Sequence, residues 1–106
     1  MVSYKEFQQL DLRTAEVLDA KLHPDADRLY ILDIKVGEER KQIVAGIRLH
    51  YKIEELIGKT VIVVNNLEPA TIRGVESNGM LLAVNDGERI VVITPDRQVT
   101  SGAQVR

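Results

Sequence analysis

The chain has no cysteine and no tryptophan, and aromatic residues make up only 4% of its 106 positions. Without cysteine there is neither a disulfide framework nor a thiolate metal site, which is compatible with a reducing cytoplasm. Few aromatic rings mean few platforms for stacking the splayed bases of a single strand. No apolar run approaches the roughly 20 residues of a membrane span. The start, Met1-Val-Ser-Tyr-Lys-Glu6, has no basic region followed by an apolar stretch, so no signal peptide is expected. Basic excess is also missing: 14 Lys and Arg face 16 Asp and Glu, for a net charge of −2. That balance argues against a general, charge-driven nucleic-acid binder.

Hydrophobic residues make up 44% and charged residues 28% of the chain, as in a soluble globule, and the length suits one domain over residues 1–106. Ser3-Tyr-Lys-Glu6 is a capping-box pattern, with Val2 and Phe7 placed as a hydrophobic staple, and predicts a short helix over 4–10. Strand patterning follows. Thr14–Leu22 reads as a first long strand, and His23-Pro-Asp-Ala-Asp27 as a turn with solvated acids. Leu29–Val36 alternates, with Tyr30, Leu32, Ile34 and Val36 on one face and Asp33 and Lys35 on the other. Gly37–Arg40 connects to a strand over Lys41–Ala45, and Lys52–Gly58 reads as a short helical turn. Thr60–Asn65 reads as a strand buried on both sides, and Met80–Val84 and Arg89–Thr94 as a hairpin around Asp86-Gly87. A C-terminal extension begins at Pro95.

Five or more short strands with a small helix between the third and fourth predict an all-β fold, a five-stranded OB-type barrel. Ile53, Leu56 and Ile57 are the residues placed to plug one end. A β-sandwich has no natural place for that helix.

Catalytic chemistry is poorly supplied. His23 and His50 are the only histidines, and Gly74, Gly79 and Gly87 match no phosphate-loop fingerprint. No enzyme activity, cofactor or metal site is expected. Binding is better supplied. From Arg40 to Ile53 there are four basic residues and His50 but no acid. Lys35, Lys41 and Arg48 are candidates to line a strand-face groove and contact phosphates. Tyr30 and Tyr51 are the available stacking rings, although Tyr30 lies on the core face. The segment Arg73–Val84 carries Gly74, Ser77, Asn78 and Gly79 ahead of an apolar strand opened by Met80. It reads either as a backbone-rich contact for a polyanion or as an ordinary glycine-bearing connection. Met80 is likewise either partly exposed or core filler.

Five segments in order carry a resemblance: Asp11-Leu-Arg-Thr-Ala-Glu-Val17, His23-Pro-Asp-Ala-Asp-Arg-Leu-Tyr30, Ile43-Val-Ala-Gly-Ile47, Gly58–Leu67 and Arg73–Val84. Together they resemble the tRNA-binding domain at the C-terminus of many methionyl-tRNA synthetases. Free-standing bacterial tRNA-binding proteins and synthetase cofactors related to an endothelial-monocyte-activating cytokine carry the same module. The resemblance implies an OB-fold that binds tRNA by structure rather than anticodon, commonly as a homodimer, beside or appended to a synthetase catalytic domain. It implicates Ser77 and Met80 in the loop with Asn78, and Arg28, Lys35, Asn66 and Arg73 as neighbours. Between Pro69 and Gly74 only Arg73 is basic, where many relatives carry more, so weaker and more salt-sensitive binding is expected. Two rivals share the barrel: a CsaA-type export chaperone for unfolded polypeptides, and a synthetase-complex protein adaptor.

Overall fold

Alternation between Tyr30 and Val36 is realised as a strand in which Leu32 and Ile34 are fully buried and Lys35 is exposed. The computed structural model describes residues 1–106. In chain order it contains α1 (Tyr4–Phe7), β1 (Leu12–Leu22), β2 (Tyr30–Val36), β3 (Glu39–Ala45), α2 (Ile53–Leu56) and β4 (Thr60–Val64). Then come β5 (Ala70–Ile72), β6 (Val75–Ser77), β7 (Met80–Leu81), β8 (Ala83–Asn85), β9 (Ile90–Val92) and β10 (Gln104–Val105). The main sheet runs β3-β2-β1-β4-β7 with antiparallel neighbours and curls into an OB-like half-barrel. α2 lies between β3 and β4, as expected.

The inward faces of these strands supply the core, including Ala15, Val17, Leu32, Ile34, Ile43, Val61 and Val63. Full burial of such aliphatic side chains contributes roughly 1.5–3 kcal/mol each. Leu56 is fully buried and Ile53 packs beside it, so α2 covers one end of the barrel. Ile57 does not join them. It has already left the helical conformation (ψ 126°) and remains 48% exposed.

The predicted C-terminal extension is part of the barrel fabric. Thr14 is buried; its hydroxyl donates to Thr100 O (2.7 Å) and accepts from Ala103 N–H (2.9 Å). Its backbone exchanges bonds with Ala103 and Gly102, and β10 pairs with β1. At the other terminus the capping box forms between Ser3 and Glu6. α1 ends at Phe7, short of the predicted Leu10, because the next amides bond three residues back, Gln9 to Glu6 and Leu10 to Phe7. No residue of α1 is buried.

β3 and β7 face each other without a ladder. Residues 76–79 are laid between them instead: Asn78 N–H donates to Gln42 O (2.8 Å), and Gln42 Nε2 donates to Glu76 O (2.9 Å). Ser77 Oγ accepts from Val44 N–H and donates to Gly79 O, both at 2.9 Å. Gly79 makes this passage possible. Its φ is +118°, and a Cβ there would lie 2.9 Å from Val64 O. Gly79→Ala is therefore expected to cost about 1–3 kcal/mol from backbone conformation alone, with the clash added. Urea unfolding measures it, and an unchanged midpoint would show that the seam tolerates a side chain there.

Candidate nucleic-acid interface

Pro24 biases His23 toward an extended conformation and starts the turn that leaves β1. His23 N–H donates to Leu29 O, and Leu29 N–H donates to Ala26 O, closing residues 23–29 into a loop. The histidine is not part of a solvated turn. It is 2% exposed, accepting at Nδ1 from Asp25 N–H (3.0 Å) and reaching Ile72 O through Nε2 (3.0 Å).

Ile72 belongs to a hairpin, in a segment whose glycines read as a loop. β5 and β6 pair with Ile72 opposite Val75 across a two-residue turn. Both turn residues have positive φ, Arg73 at 51° and Gly74 at 86°, as a type I′ hairpin requires. From this tip Arg73 Nη2 donates to Asp25 O (2.9 Å). Arg48 also reaches the turn, its Nη1 donating to Ala26 O at 3.0 Å. Carbonyl oxygens, not carboxylates, hold both guanidiniums. Arg28, Arg48 and Arg73 take part in none of the ion pairs, which are Arg13–Asp11, Arg40–Asp33, Arg89–Asp86 and Arg97–Asp96. Arg28 and Arg73, both exposed, border an open hollow of about 440 Å³ together with Asp25, Ala26, Asp27 and Leu29.

The other expected site residues are dispersed. Lys35 is exposed at the far end of β2, about 20 Å along the strand from Arg28, in a hollow shared with Glu16 and Glu38. Lys41 pairs with the core residue Ile34, so it lies on the inward side rather than in Lys35's groove, and its Nζ donates to Asn65 O (2.9 Å). Asn66 is occupied in holding the N-terminal segment, accepting from Asp11 N–H and donating to Gln9 O. Hydrogen bonds from Asn65 and then Arg13 hold the Asp11 carboxyl below its ordinary pKa.

Ser77 is corrected most clearly. It is 1% exposed and both its hydroxyl bonds are spent on the seam, so its side chain is not a direct contact. Asn78 and Met80 are each half-buried beside it. The basic stretch after Arg40 forms no stripe, since Arg40 pairs with Asp33, Lys41 turns inward and Arg48 braces the turn. Tyr30 and Tyr51 are not platforms either. Tyr30 is buried with its hydroxyl donating to Tyr51 O, and the Tyr51 hydroxyl accepts from Val92 N–H.

The sequence model of the family described as "Putative tRNA binding domain" matches residues 12–104. The chain is 50% identical over 105 residues to the methionine–tRNA ligase of Thermococcus kodakarensis, and 44% identical over 106 residues to that of Nanoarchaeum equitans. These matches cover 99% and 100% of the chain, which spans only 14% of the length of each relative. Among solved structures it is similar to a MetRS-related protein from Pyrococcus horikoshii, at 32% identity and a TM-score of 0.93, covering 100% of this chain and 98% of that one. It is also similar to the chaperone CsaA of Bacillus anthracis, at 30% identity and a TM-score of 0.89, covering 100% and 99%.

The burial of Ser77 separates packing from contact. Ser77→Ala strands Val44 N–H in the interior, at a cost of about 1–3 kcal/mol. Thermal melting is expected to show that loss, while the folded variant binds RNA as wild type does. Reduced RNA affinity at unchanged stability would restore Ser77 as a contact.

Proposed function

The chain belongs to the tRNA-binding domain family, and from that premise we propose that it is a non-catalytic module holding tRNA by its sugar-phosphate backbone. One observation carries the proposal: two exposed arginines from separate elements, Arg28 and Arg73, converge on one open hollow without a carboxylate partner within ion-pair distance. Guanidiniums of this kind suit phosphate oxygens, which position a ligand without reading its sequence. Structured RNA is suited to such shape-directed contact. Asn78, Met80 and Lys35 extend the footprint as secondary contacts. Beside or appended to a methionyl-tRNA synthetase in the cytoplasm, the module raises the local concentration of tRNA and strengthens capture by avidity.

We further propose that the module is a homodimer. Val2, Tyr4, Phe7 and Leu10 are all exposed around α1, and Phe7 and Leu10 line a recess with Val105 of β10. Isolated helices this short are marginal in water, so α1 gains from a partner. A second reading, capture of unfolded polypeptide, is favoured by Val84, Val91 and Ile93, which are exposed on the β8–β9 hairpin, and by the likeness to the chaperone.

Titration with several unrelated tRNAs, a single-stranded RNA and an unfolded protein separates these readings. Similar affinity across tRNAs is expected. With a footprint of about three phosphates, affinity falls roughly fortyfold between 50 and 200 mM salt. Arg28→Ala and Arg73→Ala should each flatten the salt slope by about one unit. Salt-indifferent binding, or a preference for unfolded protein, would refute the tRNA reading.

For the dimer, light scattering should give twice the chain mass of 11.9 kDa. Phe7→Asp is expected to shift it to monomer, since a charge would replace an apolar contact. A wild-type monomer across micromolar concentrations would rule the dimer out.

A further inference from the structure

We propose that His23 is a positioning residue that makes Arg28 and Arg73 one two-pronged grip on neighbouring phosphates of the RNA backbone. The inference rests on the tRNA-binding reading above and adds how its site is assembled. The arginines come from elements with no shared ladder. Arg28 closes the loop between β1 and β2, whereas Arg73 sits at the tip of the β5–β6 hairpin, which forms a sheet of its own. Only two hydrogen bonds reach that tip from outside the hairpin: His23 Nε2 to Ile72 O, and Arg73 Nη2 to Asp25 O. Both end on the 23–28 turn.

His23 is the buried member of the two contacts. It is 2% exposed, and one ring serves both elements. Nδ1 accepts from Asp25 N–H, so it carries no hydrogen, and the ring donates from Nε2 to Ile72 O. A neutral imidazole protonated at Nε2 satisfies both bonds together. The first bond shapes the turn that presents Arg28. The second fixes the hairpin tip, where Arg73 is already held at a positive φ of 51°. With the imidazole in place, both arginines border the same hollow before any ligand arrives, so binding has less of the backbone to order.

Substitutions that keep half of the ring's function separate the two roles. Asparagine at 23 retains an acceptor for Asp25 N–H but is too short to reach Ile72 O, whereas glutamine reaches Ile72 O and loses the fixed acceptor. The test is tRNA titration of wild type, Arg28→Ala, Arg73→Ala, His23→Asn, His23→Gln and the double variants. Each arginine substitution alone should weaken binding about tenfold, the order expected of one charge-assisted contact. In His23→Asn, adding Arg73→Ala should change affinity less than twofold, while Arg28→Ala keeps its cost. In His23→Gln the pattern reverses. Such non-additivity reports coupling between specific groups, which general loss of stability does not produce.

A nitrogen-15 spectrum of wild-type imidazoles supplies a reading that needs no variant to fold: His23 should be the Nε2–H tautomer, and an Nδ1–H form would overturn the role. Wild type that binds tRNA while Arg73→Ala keeps its full tenfold cost in His23→Asn sinks the positioning role alone. Wild type that fails to bind tRNA sinks the functional reading and this one with it.

Discussion

A half-barrel has two strand edges whose backbone donors and acceptors must be paired, covered or left to water. Here the edges are β3 and β7, and residues 76–79 are threaded between them. The Ser77 hydroxyl stands in for a missing ladder rung, accepting from Val44 N–H on one side and donating to Gly79 O on the other. Because Gly79 has no Cβ, the thread can run against Val64 O. The β5–β6 hairpin leads directly into this passage, so the seam fixes its base. His23 and Asp25 fix its tip. Arg73 is therefore placed by constraints at both ends of an eight-residue hairpin.

A chain of net charge −2 can still present cations, because its acids and bases are sorted by neighbour. Asp11, Asp33, Asp86 and Asp96 each sit against an arginine within a few residues in sequence or across one strand pair. Arg48 and Arg73 bond carbonyl oxygens instead, which orients a guanidinium without neutralising it. Asp25 and Asp27 border the same hollow and reduce its positive potential. That balance predicts a salt-sensitive, moderate affinity, as does the single basic residue between Pro69 and Gly74.

Strands that alternate cleanly were legible. Leu32 and Ile34 against Lys35, and the continuous valine and isoleucine run of β4, state their own burial. Side chains whose roles depend on distant partners were not. Lys41 faces inward because the β2–β3 register sets it opposite Ile34, and a one-residue slip would reverse its face. Ser77 resembles any serine in a glycine-bearing loop until Val44, 33 positions away, is known to need an acceptor. Asn66 is consumed by Asp11 and Gln9 across more than fifty residues. The β5–β6 hairpin escaped because Arg73-Gly74 is an unusual type I′ pair. Its signal was a glycine flanked by Ile72 and Val75, too common to stand alone.

The geometry of β1 joins the two proposed surfaces. Its first residues pair with β10 beside α1, and its last residue, Leu22, leads into the His23 turn. Eleven extended residues span at most about 35 Å, so the apolar end and the arginine end lie at opposite ends of one strand. Association through α1 would then leave both arginine hollows uncovered. In such a dimer each protomer would keep its own phosphate contacts, and the second site would be held at a raised effective concentration once the first is engaged. A module with few basic residues gains most from such doubling, since it adds contacts without adding charge to either chain.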